Sequence, residues 1–139
     1  MRAISEDMRV LARRRLKEAE VLLAAGEWSG AYYLAGYAVE CALKACILKS
    51  VKKFHMPNKD KINKAWSHDL TALLKEADLT TVQSIKAGND PLFASYWAVA
   101  KDWTEASRYE TKSEQDAKEL VQAVGARRSG VMTWVKTHW

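Results

Sequence analysis

Glu40 and Lys44 stand four residues apart, acid before base, in a stretch whose other side chains are nearly all apolar, and Tyr33 and Tyr37 precede them at helical spacing. On a helix all four share one face, and an acid four residues ahead of a base is the favourable order for an ion pair. A charge pair inside an apolar helix needs a partner or an edge. One reading puts it at the border of a bundle or against a neighbouring helix. The other has it orient a phosphate or a base-bearing ligand while the tyrosines stack. Farther along, His68-Asp69 sets an imidazole beside a carboxylate and Arg108-Tyr109 sets a guanidinium beside a phenol. The first pair fits local capping of a helix start as well as ligand contact, and the second fits closure of a bundle as well as phosphate binding. Arg15 and Arg128 fall in the apolar arcs of their helices. An arginine there snorkels, pairs with a carboxylate at an interface, or reaches a phosphate.

The 139-residue chain carries 22 Lys and Arg against 17 Asp and Glu, a formal net charge of +5. Lys49, Lys52, Lys53, Lys59, Lys61 and Lys64 face Asp60 alone, so one segment holds the whole excess and the rest balances. Such a basic patch steers phosphate-bearing partners by counterion release, or it is a solvated loop. Cys41 and Cys46 lie five residues apart in one helical stretch and cannot bridge each other. With three histidines and no Cys-x-x-Cys pair, no metal or cofactor is expected, and the thiols read as buried in a reducing compartment. Residues Met1 to Asp7 are charged and lack the apolar core of a signal peptide, while the uncharged run from Trp28 to Val39 is twelve residues, short of a bilayer span. The expectation is a cytoplasmic protein without membrane contact.

The elements that must position these groups read as helices throughout. The length is that of one domain, 1–139, and 48% apolar residues with two prolines indicate a globular chain poor in turns. Met8, Leu11, Ala12, Leu16, Ala19, Leu22 and Leu23 give residues 5–24 a 3.6-residue rhythm that Gly26 ends. Residues 28–50 are apolar around most of the helix girth and therefore central, with Ala31, Ala35, Ala38, Ala42 and Ala45 forming a small-residue stripe opposite Glu40. A third helix is predicted over 68–77, capped by Ser67, then a short helical turn from Thr80 to Gln83. Asn89-Asp90-Pro91 opens a fourth helix over 91–107. The capping box Ser113 to Asp116 opens a fifth that reaches almost to Trp139 through Ala117, Leu120, Val121, Val124, Val131 and Val135. No stretch alternates apolar and polar as a strand requires. An all-α, up-and-down bundle of about five helices follows, with a Lys-rich crossover at 49–66 as its one long connection.

Arg13 through Glu20, Gly30 through Lys44, Ser67 through Leu70 and Trp103 through Tyr109 together resemble the HEPN family. The resemblance spans roughly residues 9 to 135 and is most specific in the Gly30 to Lys44 stretch. It implies an all-α bundle with a four-helix core, commonly a homodimer, in a bacterial and archaeal family tied to nucleotide or RNA chemistry. Members often pair with a minimal nucleotidyltransferase protein in toxin–antitoxin or defence systems. Active members carry a ribonuclease site of Arg, four to six residues, then His on the last long helix. Here the corresponding positions hold Val131, Met132 and Thr133 before His138, Lys61, Ile62 and Asn63 before His68, and Leu48, Lys49 and Ser50 before His55. None is arginine, so the family's acid/base pair is missing. The nucleotidyltransferase's own Gly-Ser and Asp-x-Asp signature is absent too, which leaves the partner's role.

The reading that results is a non-catalytic HEPN module that binds a nucleotide, RNA or a nucleotidyltransferase. Tyr37, Glu40, Lys44, His68, Asp69, Arg108 and Tyr109 are its candidate ligand contacts, and no residue is assigned to catalysis. The alternative is a ribonuclease or phosphoryl-transfer enzyme with an unusual set, His68 as base with Arg108 or Arg128 stabilising the transition state. A purely structural helical interaction protein is the third reading, which six tryptophans would suit.

Overall fold

Gly26 turns the chain between the two longest helices, α1 (Ile4–Ala24) and α2 (Trp28–Lys53), and it does so at a φ of 81°. Its N–H donates to the Leu23 carbonyl at 3.1 Å and the Glu27 N–H to the Leu22 carbonyl at 2.9 Å, the paired bonds that close a helix around a left-handed residue. A three-residue link of this kind folds α2 back along α1, and among the described residues this is the most extensive helix pair. The computed structural model describes residues 4–53, 63 and 66–139. Among these the chain is all-helical, with seven α-helices, one 3-10 segment and no strand.

After α2 come α3 (Leu70–Glu76), α4 (Thr80–Asn89), α5 (Pro91–Lys101), a 3-10 segment (Glu105–Tyr109), α6 (Glu114–Gly125) and α7 (Val131–Val135). The middle of the bundle is α2, which packs against α1, α3, the 3-10 segment, α6 and α7. Its five-alanine stripe is fully buried, as close helix contact requires. Leu43 and Ile47 of α2 join Leu70, Leu73, Phe93, Trp103, Leu120 and Met132 in a single core. By length and composition, Trp28–Ser50 would suffice to cross a membrane, and 67% of its most apolar window is buried within the bundle. That is the profile of a core helix.

Several boundaries differ from expectation, each for a local reason. The third helix starts at Leu70, because Asp69 rather than Ser67 caps it: the Asp69 carboxylate accepts from the Ala72 N–H at 3.0 Å, while Ser67 Oγ accepts from the Asp69 N–H at 3.1 Å. The turn predicted at Thr80 continues as the ten-residue α4. Pro91 does open α5, with Asp90 as its cap, but α5 stops at Lys101 and the chain turns before the 3-10 segment. The predicted fifth helix is two helices. Ala126 leaves helical geometry at a ψ of 137°, Ser129 has a φ of 65°, and a Cβ on Gly130 would fall 2.2 Å from the Ala126 carbonyl oxygen. Arg128 therefore lies exposed in the turn between α6 and α7, not on an apolar seam. Arg15 is half-buried on α1 and pairs with Glu18. Helix α2 runs through Lys53, beyond the predicted end at 50; of the Lys-rich crossover, 54–62, 64 and 65 lie outside the described residues, Lys59, Lys61 and Lys64 among them.

Candidate functional site

Glu40, on the apolar helix α2, is 1% exposed. Burying a carboxylate there requires compensation, and a lysine and a histidine supply it. Lys44 Nζ donates to Oε2 at 2.9 Å, one helical turn on, and His68 Nδ1 lies 3.1 Å from each carboxylate oxygen. The capped start of α3 delivers that imidazole to α2. On its other edge His68 Nε2 lies 3.2 Å from Glu105 Oε2, and Glu105 Oε1 lies 3.4 Å from Arg108 Nη2. Arg108 Nη2 also donates to the Tyr33 hydroxyl at 2.9 Å, which returns the chain of contacts to α2. Basic side chains and carboxylates thus alternate in the order Lys44, Glu40, His68, Glu105, Arg108 from the core to the surface. A carboxylate only accepts, so it is a ring N–H of His68 that bonds to Glu40 or Glu105.

Beside this chain lies an open cleft of about 410 Å³. His68, Asp69 and Thr71 line one side, and Lys101, Trp103, Thr104, Glu105 and Ala106 the other. Trp103 is 2% exposed, and its indole N–H, like the Ser107 hydroxyl, is buried without a hydrogen-bond partner among the described residues. Arg108 sits over the Tyr33 ring at 5.4 Å and the Tyr109 ring at 5.8 Å, and Tyr109 is 83% exposed. Hydrogen bonding of its guanidinium to the Tyr33 and Tyr109 side chains raises the Arg108 pKa further above the usual guanidinium range. Lys44 lies 5.9 Å from the ring of Trp66, which is 72% exposed.

Of the residues singled out from sequence, the structure brings Glu40, Lys44, His68, Arg108 and Tyr109 together. Asp69 lines the cleft but uses its carboxylate to cap α3. Tyr37 is set back: its ring lies 6.0 Å from that of Tyr33, and burial, with the neighbouring Cys41 and Glu40, pushes its phenol up. Lys49 turns to the chain end and donates to the Trp139 carbonyl at 3.2 Å; Lys52 and Lys53 close α2. Arg15 and Arg128 show no contact with the cleft. Glu105 is the member sequence reasoning missed, since a helix drawn through 107 hides the break that aims it at His68. Its signal was Thr104-Glu105, a helix-start pair inside the supposed helix. Among the described residues no group of three or more His, Cys, Asp or Glu could hold a metal. Cys41 and Cys46 are free and buried, and burial pushes their thiols up to about 12 and about 11.

A family model described as HEPN domain matches residues 5–137, nearly the whole chain. The chain belongs to the HEPN family. No curated protein and no solved structure matches it. In this HEPN chain the C-terminal histidine, His138, packs edge-on against Trp134 at 5.0 Å, and burial, with Lys49 nearby, lowers its pKa. Among the described residues, the histidine that gathers charged partners is His68.

Proposed function

We propose that this HEPN chain is a non-catalytic module that binds a nucleotide or RNA at the cleft beside His68. The observation that carries the reading is the pairing of exposed aromatic rings with cations next to the residues that line the cleft, Tyr109 with Arg108, which meets Glu105, and Trp66 with Lys44, which meets the Glu40 that holds His68. Aromatic faces stack bases at roughly 1–3 kcal/mol each, and neighbouring cations neutralise phosphates. Non-catalysis is supported by the carboxylates on both nitrogens of His68 and by the missing arginine at the family's spacing. In keeping with the family, the module acts in the cytoplasm as a homodimer, beside a minimal nucleotidyltransferase partner in a toxin–antitoxin or defence setting. Calorimetry with mononucleotides and a short RNA tests the binding. Arg108→Ala and Tyr109→Ala should each weaken it about tenfold or more without unfolding the protein. Unchanged affinity in both would sink the reading.

A second reading is favoured by one contact. Glu40 grips His68 Nδ1 from both carboxylate oxygens at 3.1 Å, the arrangement in which a buried acid orients an imidazole for acid/base work. On that reading the chain cleaves or transfers a phosphoryl group when Glu105 moves aside. RNA cleavage that disappears in His68→Ala would establish it. Neither cleavage nor binding would leave a helical interaction protein.

A further inference from the structure

Glu105 stands where a bound anion would stand. Its Oε2 is 3.2 Å from His68 Nε2 and its Oε1 is 3.4 Å from Arg108 Nη2, so an imidazole and a guanidinium converge on one pair of oxygens. Two such donors on one oxygen pair also form the set that grips a phosphate.

The donors are fixed more firmly than the carboxylate they hold. His68 is clamped from behind by Glu40, which is 1% exposed and anchored by Lys44 at 2.9 Å, so the ring is held facing outward. Arg108 is braced by the Tyr33 hydroxyl at 2.9 Å. Glu105 is part-exposed like both donors, but it begins a five-residue 3-10 segment that has no side-chain cap and, among the described residues, has no brace of its own from the rest of the bundle. A half-exposed ion pair of this kind contributes little stability, so exchanging its carboxylate for another anion costs little. Lys101 lines the same cleft, is exposed, and makes no ion pair among the described residues.

We infer that His68 Nε2 and Arg108 form a phosphate seat and that Glu105 is its built-in competitor, displaced toward solvent when the phosphate monoester or diester of a ligand enters. The source of that phosphate rests on the nucleotide-binding reading; the seat itself rests on the two donors and the carboxylate between them. Glu105 thereby sets the affinity threshold of the site, because any ligand must outcompete a carboxylate tethered within contact distance.

Glu105→Gln keeps the shape and removes the charge, and Glu105→Asp draws the carboxylate back from both donors; either serves if the other folds poorly. Inorganic phosphate and adenosine monophosphate are titrated by calorimetry into wild type, each variant, and Glu105→Gln combined with Arg108→Ala, with the His68 ring followed by nitrogen-edited NMR. Removing a like charge at this distance should tighten phosphate binding by about tenfold or more, shift the His68 ring signals, and be reversed by Arg108→Ala. Equal or weaker binding in the Glu105 variants, or a gain that survives Arg108→Ala, overturns the seat. Phosphate captured at His68 with no nucleotide binding leaves the seat standing and removes the nucleotide reading. Nucleotide bound equally by wild type and variants removes the seat and leaves that reading intact.

Discussion

The indole of Trp103 occupies the space that a side chain on Gly36 would need. A Cβ on Gly36 would fall 2.2 Å from Cδ1 and Cγ of that ring, closer than atoms can approach. Trp103 is buried in the core and lines the cleft, so a glycine in the middle of the central helix sets how near the 3-10 end of the site comes to α2. Gly36→Ala should therefore destabilise the protein by about 2 kcal/mol, the cost of overpacking outweighing the roughly 0.5–1 kcal/mol that alanine brings to a helix interior. Urea unfolding measures it, and a variant as stable as wild type would show that the indole has room to move.

Glu40 makes the opposite kind of demand on α2. Removing it leaves the largely buried Lys44 with no counter-charge and His68 with Glu105 alone, and losing one partner of a buried pair costs about 3 kcal/mol or more. Glu40→Ala should show that loss in chemical denaturation. Replacing Glu40 and Lys44 together by leucine and methionine should recover much of it, since well-packed apolar side chains substitute for a buried pair without stranding a charge. A double variant no more stable than Glu40→Ala would contradict this account.

The glycines of the C-terminal half separate in the same way. Gly130 meets the Ala126 backbone, which cannot yield as a flexible side chain can, whereas nothing lies within 4 Å of a Cβ built on Gly88 in α4. Gly130→Ala should lower the thermal midpoint, and Gly88→Ala should raise stability by about 0.5–1 kcal/mol through helix propensity alone. Thermal melts of the two variants should move in opposite directions.

What the sequence made legible is what periodicity controls. The rhythm of α1, the apolar girth of α2, the caps at Asp90 and Ser113 and the Glu40–Lys44 pair all appear where residue spacing put them. Spacing misled where a break preserved it: Val124, Arg128 and Val131 keep helical intervals across a turn, so only Gly125 and Gly130 betrayed the interruption. The same failure hid Glu105, because its meeting with His68 depends on how the chain turns between Asp102 and Thr104. Tyr33 was read as one half of a stacking pair, while its hydroxyl has the further task of bracing Arg108 from a position 75 residues away. Contacts of that range are set by packing and leave no periodic trace.

The two buried cysteines give the protein a signed response to alkali. Burial raises Cys41 from 9.0 to about 12 and Cys46 from 9.0 to about 11, so the native state keeps both thiols protonated at pH values where the unfolded chain ionises them. Below pH 9 both states hold the protons and stability does not depend on these groups. Above it the unfolded state binds fewer protons, so stability falls as pH rises, by about 1.4 kcal/mol per pH unit for each thiol until its native group titrates. Tyr32 and Tyr37, both raised first of all by burial, add a loss of the same sign above pH 10. Urea midpoints should thus decline steeply from about pH 9 toward 11, and serine at both cysteine positions should flatten the first part of that decline. At pH 8 the native thiols should resist a thiol-specific chromogenic reagent and react at once on unfolding. Rapid labelling of the folded protein would mean that Cys41 and Cys46 are reached by solvent and that the alkaline loss has another source.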